Sequence, residues 1–440
     1  MNIFYQIKFT TMDNHTTYTK VASHEGQPKP GDKVLLLYSG GLDTSVILKW
    51  LQDNYQVNVV TLTVSLGQQA DDLPSIQKKA LALGASQAII EPVEPEFAER
   101  FLSLAIKANA QYQGNYYLSC PLGRAIVAEK AVYYANLLGI QYVAHGCTGK
   151  GNDQVRFESY ITTLDPQLKT VAPVREWGMG RDEEIVYAQK HNIPVRQSNS
   201  KPYSYDENMW GNTGEGGEIE QPSLEPPLEN ILLVCKTPEQ APDKAAYVEI
   251  DFVQGVPTAI NGQSAALANI IMQLNKLGAE HAIGITHLIE DRLVGLKVRG
   301  VYEQPAAAIL IAAHYNLEKL VSTRTENEFK ALIDQKWAYL CYGAQWFEPT
   351  MNHLNAYIND MNQKVTGTVK LKLYKGNCTV VCLNSPYSLF NENLATFNKN
   401  SAFNQNASAG FIELYGLAQR TAQQVAKQAQ QQLYESQFLK

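Results

Sequence analysis

The run Val34-Leu-Leu-Leu-Tyr-Ser-Gly-Gly-Leu-Asp-Thr-Ser45 decides the fold. Its first five residues are continuously apolar, which is typical of a strand that is buried on both faces of a parallel sheet. Two consecutive glycines then allow backbone N–H groups to turn inward and form an anion-binding nest. The residues from Thr44 onward have helical spacing. A strand, a glycine turn and a helix N-terminus with its positive dipole end together predict a loop that binds phosphate.

The polar residues of this loop suit a pyrophosphate group. Ser39, Thr44 and Ser45 offer hydroxyl donors, whereas Asp43 fits better near Mg²⁺ or as a helix N-cap. The loop is not a Walker A motif, because the Gly-Lys-Ser/Thr ending is missing. A plain Gly-Gly turn with an aspartate cap is the simpler alternative, but the strand–loop–helix context favours phosphate binding.

Strands and helices alternate outward from this loop. Further strands are predicted at residues 57–63, 87–90 and 142–145. The helices predicted between and beside them cover residues 73–83, 97–111 and 125–138. Such alternation is typical of an α/β domain whose parallel sheet has helices on both faces. Ligands of these domains bind beyond the carboxyl ends of the strands.

The pattern changes after the first half of the chain. Residues 196–230 are rich in proline and glycine and are predicted to be a long linker or functional loop. The remainder reads as α+β. It has an alternating strand at 247–252 and two strands at 365–374 and 378–383 that flank a three-residue hairpin signal, Lys375-Gly-Asn377. Helices are predicted at residues 264–277, 326–345 and 417–433.

These patterns divide the chain into four predicted parts. They are an N-terminal extension (1–31), a nucleotide-binding domain (32–200), an α+β domain (201–414) and a C-terminal helix (415–440). Two short strands are expected in the extension, at residues 3–9 and 16–21, and Met12 is an alternative start.

Composition excludes several classes of protein. A hydrophobic fraction of 45% excludes a mostly disordered chain. The 43 acidic and 37 basic residues disfavour a globally basic nucleic-acid binder. No run approaches the roughly 20 apolar residues of a membrane helix, so no membrane partner is expected and a cytoplasmic location is the default.

Cysteine spacing disfavours a metal or redox motif. None of the six cysteines forms a CxxC pair, which argues against a zinc ribbon or a thioredoxin-type site. Cys378 and Cys382 are four residues apart on a predicted strand, and alternation is expected to place both on one face as buried structural thiols.

A second glycine-rich motif, Ala144-His-Gly-Cys-Thr-Gly-Lys-Gly-Asn-Asp-Gln-Val-Arg-Phe-Glu158, begins at the end of a predicted strand. Thr148, Asn152, Asp153 and Arg156 supply a hydroxyl, an amide, a carboxylate and a guanidinium. This mixture suits a zwitterionic amino acid, because arginine binds carboxylate bidentately and aspartate binds an α-ammonium group. The alternative is a loop that is capped by Asn-Asp at a helix start. His145 and Cys147 are interpreted as structural.

The first motif resembles the SGGxDS signature of the N-type ATP pyrophosphatases, which cleave ATP to AMP and pyrophosphate while adenylating an oxygen of the substrate. The second resembles the aspartate-binding signature of the argininosuccinate synthase family. The resemblance continues through residues 202–208, 290–303 and 365–384, and it covers about 32–418. It implies a Rossmann-like nucleotide-binding domain, an α+β synthetase and multimerisation domain, and a C-terminal oligomerisation helix.

The resemblance also implies a reaction. ATP adenylates the ureido oxygen of citrulline and releases pyrophosphate, and the aspartate amine then displaces AMP to give argininosuccinate, as in arginine biosynthesis and the urea cycle. ATP, Mg²⁺, citrulline and aspartate are the implied ligands, no nucleic acid is expected, and the implied assembly is a cytoplasmic homotetramer.

Residue by residue, the resemblance implies three sets of positions. The ATP set is Leu37, Tyr38, Ser39, Gly40, Gly41, Leu42, Asp43, Thr44, Ser45, Val64 and Gly146. The aspartate set is Thr148, Asn152 and Asp153, and the citrulline set is Tyr116, Asn152, Arg156, Ser204, Thr213, Glu290 and Tyr302, with Pro121 and Arg124 as further substrate-binding residues. Asp43, Asp153 and Arg156 are the implied catalytic residues.

Some positions depart from the family pattern. Cys120 and Pro121 stand where the family usually carries hydroxyl-bearing residues, and Val298 replaces a serine. These departures fit either neutral drift within the family or a changed acceptor, as in a related ligase for another ureido or amide compound. Two further alternatives stay open, a non-catalytic paralogue and a tRNA-thiolating enzyme. The last requires Cys120 and Cys147 to approach each other.

Overall fold

The computed structural model describes residues 18–68, 72–194, 203–398 and 401–438. The chain divides after Tyr387 into two compact units. The strand expected at residues 3–9 lies outside the described residues. Of the strand expected at 16–21, the described residues 18–21 have no regular structure.

A parallel sheet forms the first layer of the larger unit. Its strands are β1 (Lys33–Leu37), β2 (Asn58–Ser65), β3 (Gln87–Pro92), β4 (Tyr142–Ala144) and β5 (Lys169–Val171). They lie in the order β3-β2-β1-β4-β5, and all four pairings are parallel. The chain therefore winds to one side of β1 through β2 and β3, and to the other side through β4 and β5. The point where the winding reverses lies between β1 and β4.

Helices cover this sheet. They are α1 (Leu42–Tyr55), α2 (Leu73–Ala82), α3 (Glu94–Phe97), α4 (Ser103–Lys107), α5 (Ser119–Leu137), α6 (Asn152–Leu164), α7 (Pro173–Trp177) and α8 (Arg181–Lys190). A π-helical turn, Ala98–Leu102, joins α3 to α4. Leu36 of β1 and Leu48 of α1 are fully buried in one apolar cluster between the sheet and the helix. The α/β prediction is confirmed.

The start of α5 was predicted too late. The apolar spacing indicated residue 125, whereas the helix begins at Ser119, directly after Leu118 in a left-handed conformation (φ 65°). Pro121 masks this start in the sequence, although proline is tolerated in the first turn of a helix because its missing N–H has no partner there.

Two antiparallel sheets form the rest of the larger unit. Their strands are β6 (Ser204–Asn208), β7 (Gly211–Glu215), β8 (Ala246–Val253), β9 (Val256–Ile260), β10 (Gln263–Ser264), β11 (Ile285–Asp291), β12 (Lys297–Glu303), β13 (Gly367–Tyr374) and β14 (Asn377–Asn384). One sheet has the order β10-β9-β8-β13-β14 and the other β11-β12-β7-β6. Their helices are α9 (Leu228–Ile231), α10 (Leu267–Glu280), α11 (Pro305–Val321), α12 (Arg324–Tyr342) and α13 (Pro349–Met361), with 3₁₀ turns at Gly217–Glu220 and Asn362–Lys364.

The prediction of an unstructured stretch at 196–230 was wrong for its described part. Residues 204–208 and 211–215 form the hairpin β6–β7, and β7 also pairs with β12 through Thr213 and Tyr302. Both strands are polar and contain glycine, so strand propensity misses them. Pairing with a strand about 90 residues later overrides that local preference.

The hairpin β13–β14 corrects the cysteine prediction. Its loop has two residues, Lys375 and Gly376, both with positive φ (45° and 86°), as a type I′ turn requires. A register shift opposite Lys370 and Leu371 inserts an extra residue into β14. A bulge of this kind breaks the side-chain alternation. Cys378 is therefore half-buried, whereas Cys382 is exposed instead of buried.

One hydrophobic core joins the layers of the larger unit, since Leu35 of β1 and Val248 of β8 belong to the same buried cluster. The smaller unit contains α14 (Glu392–Ala395), α15 (Ala407–Tyr415) and α16 (Leu417–Phe438). Within the described ranges, no helix has both the length and the apolar character to cross a bilayer.

Candidate active site

A cleft of about 600 Å³ opens at the carboxyl ends of β1 and β4. This is the reversal point of the parallel sheet, where ligands of doubly wound domains bind. The loops 38–41 and 145–151 form one side of the cleft. Residues of β6, β7, β11 and β12 form the other side, so the cleft is shared by the parallel and antiparallel parts of the larger unit.

The loop between β1 and α1 has the strand, glycine turn and helix start that the sequence predicts. Gly40 has φ 77°, and a Cβ added there would lie 2.8 Å from Ile76. Gly41 is the N-cap of α1, so Asp43 is not the cap, contrary to one of the two predictions for it. Asp43 instead lies in the first turn with an exposed side chain. The Ser39 and Thr44 hydroxyls are 3.2 Å apart at the rim.

Most predicted site residues meet in this one cleft. They are Leu37, Tyr38, Ser39, Gly41, Leu42, Asp43, Thr44, Val64, Tyr116, Arg124, Gly146, Thr148, Asn152, Asp153, Arg156, Ser204, Thr213, Glu290 and Tyr302. Residues that are separated by more than 260 positions in the sequence are therefore brought to a single cleft.

Three predicted residues do not line the cleft. Gly40 faces Ile76 of α2. Ser45 is fully buried, and its hydroxyl donates to the carbonyl of Gly41 at 2.6 Å. Pro121 is buried on another side of α5, because Cys120 and Arg124, one helical turn apart, are the residues that face the cleft. The role of Pro121 in substrate binding stays a prediction.

An ionic cluster occupies the floor of the cleft. Asp153 accepts hydrogen bonds from Arg124 (Nη2, 2.8 Å) and from Arg156 (Nη1, 2.8 Å). Burial opposes ionisation of Asp153, but the two guanidinium groups outweigh it and lower its pKa to about 2. Arg124 also contacts the carboxylate of Asp206. Asp153 therefore stays a carboxylate at neutral pH, flanked by two cations.

Tyr342 holds the amino-acid side of the cleft in place. Asn152 donates to its hydroxyl at 2.7 Å, and that hydroxyl donates to the carbonyl of Asp291 at 3.0 Å. Its carbonyl accepts from Arg156 Nη2 at 3.2 Å, and its ring lies under the guanidinium, 5.0 Å from the centroid. Asn152 and Arg156 are thus fixed before any ligand arrives.

Glu290 is a buried carboxyl group whose burial is only partly compensated by its neighbours. The residue is 5% exposed, and its Oε2 has no hydrogen-bond partner among the described residues. Burial raises its pKa to about 7, since Arg156 and Arg292 offset the effect only in part. Arg292 instead donates to Glu215 at 2.6 Å and remains 3.9 Å from Glu290. An oxygen without a partner on a cleft wall is available to a ligand.

Cys120, which departs from the family pattern, lines the cleft beside Tyr116 and Thr213. Tyr116 accepts a hydrogen bond from the N–H of Cys120 at 3.2 Å, and Cys120 Sγ is 3.5 Å from Thr213 Oγ1. The rings of Tyr116 and Tyr302 pack edge-on at 5.0 Å. Burial raises the pKa of both Cys120 and Cys147, so each is held as a thiol. This disfavours thiolate chemistry of the tRNA-thiolating kind.

Among the charged residues that line the cleft, sequence reasoning missed Asp206, Glu215 and Arg292. It also missed Tyr342, which does not line the cleft but contacts Asn152 and Arg156. Asp206 and Arg292 lie in runs whose resemblance to the family was noted, so their neighbourhood was the available signal. Glu215 is the last residue of the polar strand β7, and Tyr342 is the last residue of the long helix α12. Neither position carries a local signal. The fold places Asp206 beside Arg124, Arg292 beside Glu290, and Tyr342 beside Asn152.

Comparison with known proteins identifies two family models. The model described as the Arginosuccinate synthase N-terminal HUP domain matches residues 33–194, and that of the Arginosuccinate synthase C-terminal domain matches residues 203–422. An argininosuccinate synthase of Brevibacillus brevis is 47% identical over 90% of this chain and 94% of its own. One of Chlorobium chlorochromatii is 46% identical over 90% of this chain and 99% of its own.

Among solved structures, a U34-tRNA thiolase from Methanococcus maripaludis is 17% identical, with a TM-score of 0.27 over 40% of this chain and 62% of the other. A TM-score this low carries no argument.

Proposed function

The chain belongs to the argininosuccinate synthase family, the ligases that form a C–N bond at the expense of ATP, and we propose that its cleft joins citrulline to aspartate. The observation that carries the proposal is the meeting of a phosphate-binding loop with a charged amino-acid pocket in one cleft. The first needs a nucleotide, and the second needs a substrate with both an ammonium and a carboxylate.

We assign ATP to the loop between β1 and α1. The triphosphate is held by backbone N–H groups and by the positive end of α1. The ureido oxygen of citrulline attacks the α-phosphorus, a new O–P bond forms, and the bond to pyrophosphate breaks. Mg²⁺ in proteins usually binds one or two carboxylates together with substrate phosphates. Asp43, exposed beside the loop, fits as that carboxylate, and the ion would neutralise charge on the pyrophosphate.

We assign aspartate to Thr148, Asn152 and Asp153. Because the pKa of Asp153 is about 2, its carboxylate is a poor proton acceptor at neutral pH. Its role is to hold an ammonium group while the adjacent arginines take carboxylate oxygens. The aspartate nitrogen, once deprotonated, attacks the ureido carbon, and the C–O bond to AMP breaks.

We assign citrulline to the side of the cleft formed by Tyr116, Ser204, Thr213, Glu290 and Tyr302, next to Arg156. The Oε2 of Glu290, which has no hydrogen-bond partner among the described residues, would accept a hydrogen bond from a ureido N–H group. Only the ionised carboxylate of Glu290 can accept hydrogen bonds at both of its oxygens. Positioning and charge stabilisation supply the catalysis, and no covalent enzyme intermediate is needed.

The experiment is pyrophosphate release from ATP and Mg²⁺ with aspartate present, with and without citrulline, followed by mass analysis of the product. Citrulline-dependent release together with argininosuccinate is the expected result. Release that does not depend on citrulline would reject the proposed acceptor.

Cys120 favours one second candidate, a ligase for a different ureido or amide acceptor. Its thiol lies 3.5 Å from Thr213 on the acceptor side, where the family usually carries a hydroxyl. The same assay with a panel of ureido and amide compounds distinguishes this candidate from the first. A chain that releases no pyrophosphate with any of them would be a non-catalytic paralogue.

The proposal extends to assembly and location. Leu417, Val425 and Leu433 of α16 are between 57% and 61% exposed, and we infer that a second copy covers them in a homotetramer. Light scattering should give about four times the monomer mass. We assign the domain limits 32–200 and 201–414 and a cytoplasmic location as parts of the same proposal, with arginine biosynthesis as the role.

A further inference from the structure

The N-terminal extension docks onto the parallel sheet. Residues 24–26 run beside β5, where the Gly26 N–H donates to the Thr170 carbonyl at 2.8 Å and the Thr170 N–H donates to the His24 carbonyl at 2.9 Å. The docking is close, because a Cβ added at Gly26 would lie 2.7 Å from the Tyr142 ring and 2.8 Å from Lys169. The family match begins only at residue 33, after this segment.

The docked segment brings one side chain to the buried Glu158 carboxylate and another to its partner Arg175. His24 Nε2 lies 2.7 Å from Glu158 Oε2. Glu25, whose side chain is 5% exposed, accepts from Arg175 Nη2 at 3.3 Å and from the Val21 N–H at 2.9 Å. Arg175 in turn donates to Glu158 Oε1 at 2.5 Å. The extension thus contacts both members of the Arg175–Glu158 pair.

The Arg175–Glu158 pair reaches the ligand loop 146–151 by two routes. In the first, His145 Nε2 is 3.1 Å from Glu158 Oε1, and His145 Nδ1 accepts the N–H of Cys147 at 3.3 Å. Because Nδ1 accepts, the ring carries its proton on Nε2 and donates it to Glu158. Burial opposes ionisation of Glu158, but hydrogen bonds from His145 and Arg175 hold its pKa well below the usual range.

The second route runs through Gln154. Arg175 Nη1 donates to Gln154 Oε1 at 3.0 Å, and Gln154 Nε2 donates to the carbonyls of Gly149 at 2.6 Å and Gly151 at 3.3 Å. Both halves of the loop are therefore attached to one ion pair. Gly146, Thr148 and Asn152, which lie in or directly beside this loop, line the cleft.

We propose that His24 and Glu25 of the N-terminal extension are positioning residues for the ligand loop 146–151, through Glu158 and Arg175. The inference rests on the proposed function, since it concerns how the loop meets ATP and aspartate. It gives the extension a role at the cleft although neither residue lines it. The alternative is that the extension stabilises the fold and leaves ligand binding alone.

The test uses the full chain and separates binding from folding. The double variant His24→Ala/Glu25→Gln should raise the KM for aspartate about tenfold, because displacing a ligand loop by a fraction of an ångström is costly, while kcat changes less than about twofold. Gly26→Leu, which cannot dock without displacing Tyr142 or Lys169, should do the same. His24→Gln keeps a side-chain N–H donor and should restore most of the affinity.

Val21→Ser is the matched control, because that side chain is 88% exposed on the same segment. Equal KM values in the double variant, Gly26→Leu and the control would overturn the proposal. Losses in kcat that only follow the folded fraction in a melting curve would overturn it as well.

Calorimetric titration of each variant with ATP and with aspartate gives the same comparison without turnover. If the unaltered chain makes no argininosuccinate, the proposed function fails. The positioning role is then judged from these dissociation constants alone, where an unchanged value for both ligands rejects it.

Discussion

The two sides of the cleft are built in opposite ways. The phosphate side is one continuous run, residues 38–45, made of backbone groups and hydroxyls that bond to each other. The amino-acid side is assembled from separate segments. It holds the buried Arg156 and the half-buried Arg124 and Asp153 in contact. The first side is therefore sensitive to added atoms, and the second is sensitive to an unpaired charge.

The largest effect is expected on the phosphate side. Gly40→Val introduces a β-branched side chain at φ 77° and a Cβ 2.8 Å from Ile76. We expect kcat/KM for ATP to fall about 10³-fold, because the loop can no longer present its N–H groups. Steady-state kinetics checks this. Gly410→Ala, where an added Cβ meets no atom within 4 Å, is the control. A loop that tolerates valine would show that its backbone conformation is not essential.

The next effect is expected on the amino-acid side. Asp153→Asn leaves Arg124 and Arg156 without their shared carboxylate. We expect kcat/KM for aspartate to fall about 10²-fold. The dissociation constant for ATP should change little, since the phosphate loop does not depend on this charge. Titration calorimetry with each ligand checks the separation, with the exposed Asp182→Asn as control. An equal loss for both ligands would mean that the two sides are not independent.

Glu290 should impose a pH dependence on the amino-acid side alone. Its pKa of about 7 means that the carboxylate, the form that accepts hydrogen bonds, is lost as the pH falls through 7. We expect kcat/KM for citrulline to fall about tenfold per pH unit below that value. Glu290→Gln should have a lower but flat profile. The exposed Glu225→Gln should keep the fall in kcat/KM below pH 7 that the unaltered chain shows. If Glu290→Gln still showed this fall in kcat/KM, the titrating group would be another residue.

The smallest effect is expected at Cys120. Cys120→Thr puts a hydroxyl where the thiol lies 3.5 Å from Thr213, with little change in volume. We expect the KM for citrulline to change less than about threefold. A gain of tenfold or more, with citrulline poorly used by the unaltered chain, would instead favour a different natural acceptor. Competition between citrulline and other ureido compounds measures this directly.

The difference between the two sides also explains which features could be predicted from the sequence. The parallel strands and the phosphate loop were predicted because each is a contiguous pattern, and β1, β2 and β3 appear within about two residues of the expected limits. Asn152, Asp153 and Arg156 were accessible for the same reason, since they share the start of one helix.

The rest depended on pairing between remote segments. The hairpin β6–β7 is polar, and its strands are stabilised by β12, so nothing local distinguishes them from a loop. The start of α5 was predicted too late, and this hid the helix face that carries Cys120 and Arg124. Tyr342 is 190 residues from its partner Asn152 in sequence, a contact that no local pattern predicts.

The segment at residues 24–26 has one more consequence, for handling the protein. β5 is the last strand of the parallel sheet, and this segment covers its outer backbone groups. An uncovered edge strand is a template for pairing with another molecule. A chain trimmed to the family boundary near residue 32 would expose that edge. We expect the trimmed chain to aggregate when it is concentrated, even where its fold survives. The segment at residues 24–26 would then also protect the sheet from self-association.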